Sequence, residues 1–138
     1  MKVIAYSIKP FEKEFLAKAN QKKHDITLIS NPLSLHTATF AKGKDAVVVF
    51  TNDDVSATVI NKLADMGIKY ISTRSAGTDH IDKVAATHRN IQIANVAVYS
   101  PHQAFLTAEA LQQIADKTIT NLDSWEKPDL TRTAHTTT

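Results

Sequence analysis

The run Ala46-Val47-Val48-Val49-Phe50 decides the fold. A strand with one wet face alternates apolar and polar residues. A short run that is apolar at every position predicts a strand covered on both faces, as in a parallel sheet held between two layers of helix. Four further short runs lie around it: Val3-Ile4-Ala5-Tyr6, Ile26-Thr27-Leu28-Ile29, Tyr70-Ile71-Ser72-Thr73 and Ile91-Gln92-Ile93. Each has the length of a strand.

The intervals between these runs carry helical spacing. Pro10 suits a first helical turn, and Phe11, Phe15 and Ala19 follow at four-residue intervals, predicting a helix with that face inward. Asp53 or Asp54 is placed to cap a helix whose Val55, Val59 and Leu63 face the core and which Gly67 ends. Asp79 to about Thr87 predicts a short helix using Ile81, Val84 and Ala85, and Leu33 to Lys42 gives the faintest helical pattern. The clearest is the last. Thr107 is an N-cap candidate, and Leu111, Ile114, Ala115, Thr118, Leu122 and Trp125 form one stripe. Alternating strand and helix implies an α/β fold with a parallel sheet. Right-handed crossovers favour a doubly wound, flavodoxin-like sheet of order 2-1-3-4-5 in a single domain over residues 1–126, with residues 127–138 as a disordered polar tail.

Composition narrows the function. The chain of 138 residues is 43% hydrophobic and 22% charged, with a net charge of +2. Its sixteen Lys and Arg are scattered, which gives nucleic-acid binding little electrostatic support. The absence of cysteine excludes disulfides, thiolate metal sites and cysteine nucleophiles. The apolar start Met1–Tyr6 is too brief for a signal peptide or a membrane span, so a cytoplasmic protein is expected.

In sheets of this kind ligands sit beyond the carboxyl ends of the strands. Those ends are Ser7, Phe50-Thr51-Asn52, Arg74-Ser75-Ala76-Gly77-Thr78 and Asn95 through His102. Successive backbone N–H groups at Ala76 and Gly77, just ahead of a helix, can cradle a small anion. By itself the stretch reads equally as a plain turn that needs Gly77 for its backbone shape. His102 lies in a loop, where an imidazole titrating near neutrality can exchange a proton with a carbonyl or hydroxyl. His24, His36, His88 and His135 fall in polar surroundings, and His80 between Asp79 and Asp82 suits a solvated helix start better than a metal site. With only Gly43, Gly67 and Gly77, no Gly-x-Gly-x-x-Gly loop can be written.

Taken together, Ala46–Phe50, Arg74-Ser75-Ala76-Gly77-Thr78-Asp79-His80-Ile81-Asp82, Asn95-Val96-Ala97-Val98-Tyr99-Ser100-Pro101 and Pro101-His102-Gln103-Ala104-Phe105-Leu106-Thr107 resemble the D-2-hydroxyacid dehydrogenases, in particular their D-lactate dehydrogenase branch. The likeness spans about residues 1–125. In that family a substrate domain built from both ends of the chain carries an inserted NAD-binding domain. The resemblance implies that residues 1–100 and 101–126 are the two parts of the substrate domain, joined directly at a deletion seam in a truncated, engineered chain.

The same resemblance assigns roles. The Ala76 and Gly77 amides would hold the substrate carboxylate, His102 would be the remnant acid/base, and Tyr99, Phe105 and Phe50 would line the substrate pocket. Phe50 stands where the lactate branch often has tyrosine. The glutamate and arginine that assist the histidine belong to the inserted domain and have no matching position, and neither does a cofactor site. The expectation is therefore an inactive substrate domain without cofactor, or else a module that binds 2-keto and 2-hydroxy acids weakly. A receiver domain or a flavodoxin shares the topology, but Ser7-Ile8-Lys9-Pro10-Phe11-Glu12 is a poor acidic pocket and a poor phosphate loop. The short seam ahead of the last helix suggests a homodimer formed by swapping that helix.

Overall fold

The computed structural model describes residues 1–96 and 107–126. Five strands, β1 (Lys2–Ala5), β2 (Asp25–Leu28), β3 (Ala46–Val49), β4 (Tyr70–Thr73) and β5 (Gln92–Ala94), form one parallel sheet in the order β2-β1-β3-β4-β5. This is the expected doubly wound arrangement. The strand limits move by about one residue because the hydrogen-bond ladder, not the apolar run, defines them: Lys2 pairs with Asp25, while Tyr6 beyond β1 still donates its N–H to the Val48 carbonyl.

All four residues of β3 are buried, and the pleat sorts them between two cores. Val47 and Val49 join Ile4, Tyr6 and Ile71 beneath α2 (Ala57–Asp65), α3 (Lys83–His88) and a 3₁₀ turn at Thr37–Ala41. Ala46 and Val48 join Val3 and Ala5 beneath α1 (Pro10–Asn20) and α4 (Ala108–Glu126). Helix α4 seats Ala115, Ile119 and Leu122 in that second core, and its Trp125 stacks on Tyr70 with ring centroids 4.7 Å apart. Thr107 caps it, its hydroxyl accepting from Ala110 N–H at 3.1 Å. The seam at residues 100 and 101 and the tail 127–138 lie outside the described residues.

Several helical expectations need correction. Pro10 does open α1, but Leu16 is its buried residue and Phe11 is 52% exposed, because the helix turns Phe11 to the carboxyl edge beyond the sheet. The span 33–42 yields only the 3₁₀ turn. Neither Asp53 nor Asp54 caps α2; Ser56 occupies that position, Asp54 accepts from Ser56 N–H, and Asp53 is used elsewhere. Helix α3 begins four residues later than expected, where Asp82 accepts from Ala85 N–H. Consequently Ala86 is buried and Val84 is 70% exposed.

His24 departs furthest from expectation. Its sequence neighbours are polar, yet its ring is buried between Asp123 at 2.8 Å and Glu126 at 3.4 Å, both on α4. Asn20 holds both its backbone groups. Burial acts to raise the Asp123 carboxyl, but hydrogen bonds from Lys23 and His24 outweigh it and hold the group below its ordinary value.

Two truncations on the α1/α4 face should have opposite signs. Leu122→Ala removes a fully buried side chain from the α4 contact and should cost about 2–5 kcal/mol in urea unfolding. Ser72→Ala removes a buried hydroxyl that has no hydrogen-bond partner and should raise stability by about 1 kcal/mol.

Candidate functional site

Two buried charges organise the carboxyl edge of the sheet. Asp53, 3% exposed, accepts from the Ser7 hydroxyl, from Leu33 N–H at 2.8 Å and from Phe50 N–H at 2.7 Å, so one carboxylate ties together the loops after β1, β2 and β3. Its charge adds to burial in pushing the Tyr6 phenol upward, and that hydroxyl donates to the Thr37 carbonyl at 2.8 Å. Arg74, 2% exposed, follows β4 directly. Its Nε donates to Glu12 at 2.7 Å, and Nη1 and Nη2 donate to the carbonyls of Tyr6 and Ser7 at 3.1 Å each. The guanidinium lies 5.2 Å from the centre of the Phe50 ring. Between these charges Ser7 is held at φ 58°, a left-handed conformation that favours glycine.

The loop after Arg74 is pinned from one side. Val96 N–H donates to the Ser75 carbonyl at 3.0 Å, and the Asn95 side chain donates to the Ala76 carbonyl at 2.8 Å. Asn121 of α4 in turn holds the Asn95 carbonyl at 3.1 Å. In a trans peptide the N–H points opposite to the preceding C=O. Both carbonyls face the β5 side, so the N–H groups of Ala76 and Gly77 turn away from it. Both residues are exposed, and neither N–H donates to another described residue. The result is a pair of free, oriented donors. Because α3 starts only at Lys83, these donors belong to a loop and not, as expected, to a helix start.

His80 sits behind this loop. Its Nε2 is 3.1 Å from the Thr73 hydroxyl, which is 2.7 Å from the Ser75 hydroxyl, and Ser75 donates to the Gly77 carbonyl at 2.9 Å. Among the described residues no group of three or more His, Asp and Glu could hold a metal ion. Phe50 and Arg74 line a cavity of about 190 Å³ with Phe11, Phe15, Leu111 and Ile114, between the amino-terminal halves of α1 and α4. Ala76 and Gly77 are not part of its lining. His102, Tyr99 and Phe105 lie outside the described residues. The roles of Asp53 and Asn95 and the pairing of Arg74 escaped the sequence reading. A charged or amide residue immediately beyond a strand is the local sign of Arg74 and Asn95, whereas Asp53 lies four residues past β3.

The family described as D-isomer specific 2-hydroxyacid dehydrogenase, catalytic domain, matches residues 2–134. An aromatic 2-oxoacid reductase of Clostridium sporogenes is 37% identical over 103 residues, which cover 74% of this chain and 31% of that protein. The apo structure of D-lactate dehydrogenase from Escherichia coli superposes with a TM-score of 0.70 at 34% identity, over 73% of this chain and 32% of that one. D-lactate dehydrogenase with NAD+ from Lactobacillus jensenii gives a TM-score of 0.63 at 34% identity, over 73% and 31%. The chain thus spans about a third of the length of these relatives. Among the described residues no helix is long and apolar enough to cross a membrane.

The surroundings of His80 set a pH response. Burial lowers its pKa most; Asp53 opposes this, Lys83 reinforces it and Asp79 opposes it, leaving the ring below 6.5. A folded value under the unfolded one means that this contribution to stability is complete above about pH 6.5 and is lost as pH falls through the folded value. An NMR titration of the His80 ring should show a midpoint below 6.5. A midpoint at or above it would contradict this environment.

Proposed function

Since the chain belongs to the D-isomer specific 2-hydroxyacid dehydrogenases, as a match to their catalytic domain, we propose that it binds the carboxylate of small 2-oxo and 2-hydroxy acids and does not transfer hydride by itself. One observation carries the reading: Ala76 and Gly77 are exposed, their N–H groups have no partner among the described residues, and both are turned away from the β5 side by carbonyls anchored to Asn95 and Val96. A carboxylate accepts hydrogen bonds from two such donors, and a charged acceptor strengthens both. On this reading His102 is the group that exchanges a proton with the substrate's 2-oxygen, and Phe50, Tyr99 and Phe105 are its apolar neighbours.

The residues present do not fit a dinucleotide. Such a cofactor needs a glycine-rich turn between a strand and a helix start, where backbone amides meet a pyrophosphate. Gly43 at φ 85° follows the 3₁₀ turn and Gly67 at φ 95° follows α2, each leading into a strand, and Gly77 lies in the carboxylate loop. Strand β1 runs instead into Ser7-Ile8-Lys9-Pro10, where Arg74 takes the Ser7 carbonyl and Asp53 the Ser7 hydroxyl. A nicotinamide supplies the hydride in this chemistry, and no step through it is assigned to these residues.

Two hydrogen bonds on an open loop support only weak binding, with a dissociation constant around 1 mM or higher, about 4 kcal/mol or less. In a ¹H–¹⁵N NMR titration with pyruvate, the Ala76 and Gly77 amides should move saturably while amides of β2 stay fixed. Unmoved loop amides at roughly a hundred millimolar ligand would overturn the binding reading. NADH and pyruvate mixed with the protein should show no oxidation above a buffer blank, and sustained turnover would overturn the rest.

A further inference from the structure

Four polar groups behind the Ser75–Gly77 loop share a limited number of protons, and counting them gives a direction to the chain. A carbonyl can only accept, so the single hydroxyl proton of Ser75 is committed to the Gly77 oxygen. The 2.7 Å contact between Ser75 and Thr73 must then use the Thr73 proton, donated to Ser75 Oγ. With that proton spent, Thr73 Oγ1 can only accept from His80, so Nε2 of the ring carries hydrogen. The chain runs one way, from His80 Nε2–H to Thr73, to Ser75, to the Gly77 carbonyl. Thr73 is fully buried, so water has little access to substitute for it.

We propose that His80 is a positioning residue for the carboxylate loop, acting through Thr73 and Ser75 to fix the Gly77–Thr78 peptide plane. This deepens the binding reading above and rests on it for its functional meaning. Val96 and Asn95 hold the two preceding carbonyls, of Ser75 and Ala76, from the β5 side. The relay from His80 holds the third, of Gly77, from the opposite neighbour in sequence. Three consecutive peptide planes are then fixed, and the loop that presents Ala76 and Gly77 cannot rotate about its own axis. Protonating the ring would add a hydrogen at Nδ1 and leave the relay intact, so the device is a brace and not a switch.

The test begins with the ligand-free protein. Long-range ¹H–¹⁵N spectra at neutral pH should show His80 as the Nε2–H tautomer, and an Nδ1–H tautomer overturns the relay. Thr73→Val cuts the chain at its middle while keeping side-chain shape. It should shift the Gly77 and Thr78 amide signals and raise the pyruvate dissociation constant by roughly three- to tenfold. His80→Gln, which keeps an N–H donor, should restore most of the wild-type loop signals, whereas His80→Phe should reproduce the Thr73→Val pattern. Unchanged Gly77 and Thr78 signals in both Thr73→Val and His80→Phe overturn the proposal. Should the wild type not bind pyruvate at all, the binding reading fails alone, because the tautomer and the loop signals still decide the relay.

Discussion

The buried guanidinium of Arg74 is the constraint on which the rest of the carboxyl edge depends. A cation at 2% exposure needs its charge paired and its donors used, and here four hydrogen bonds run to Glu12 and to the carbonyls of Tyr6 and Ser7. The bonds join the end of β4 to the end of β1 and to the first turn of α1. They also hold Ser7 in its left-handed conformation and bring Phe50 against the guanidinium face. Removing one partner of such a pair leaves a buried charge uncompensated, a loss of about 3–5 kcal/mol. Asp53 is the anionic counterpart on the same edge. Together they tie the loops beyond β1, β2, β3 and β4 to one another.

Those ties extend to the Ser75–Gly77 loop. The residue preceding it is Arg74, fixed on one side, and β5 beside it is followed by Asn95 and Val96, which hold its carbonyls on the other. Helix α4 contributes through Asn121, so the last element of the chain helps to set a loop made by residues 75–77. The docking of α4 by Ile119, Leu122 and Trp125, with His24 between Asp123 and Glu126 at its far end, thus reaches the site through one amide.

The sheet was legible in the sequence because its information is local: an all-apolar Ala46–Val49 announces burial on both faces, and alternation of strand and helix limits the strand order. Pro10 and Thr107 marked two helix starts for equally local reasons. What escaped depends on contacts across the fold. Asp53 has the composition of a helix cap but is drawn to three donors from three different loops. His24 sits among lysines and an aspartate, and the acidic partners of its ring lie on α4, about a hundred residues away. Phe11 and Val84 fit an apolar stripe yet point out, since a periodic pattern gives the angle between side chains and not where the neighbouring layer ends. The Ser75–Gly77 segment was legible as a loop, but not as a turn that needs glycine: Gly77 takes no left-handed backbone and a Cβ there would meet nothing. Its orientation was not legible, because that comes from the partners of its carbonyls.

The proposed carboxylate site is the pair of Ala76 and Gly77 N–H groups, turned away from the β5 side. A crystal structure of the protein grown with oxamate, a close mimic of pyruvate, tests it most directly. Carboxylate oxygens are expected within hydrogen-bond distance of the Ala76 and Gly77 nitrogens, with Arg74 still bound to Glu12. Oxamate bound through Arg74 with Glu12 displaced, or an unoccupied loop whose amides have turned inward, would contradict it.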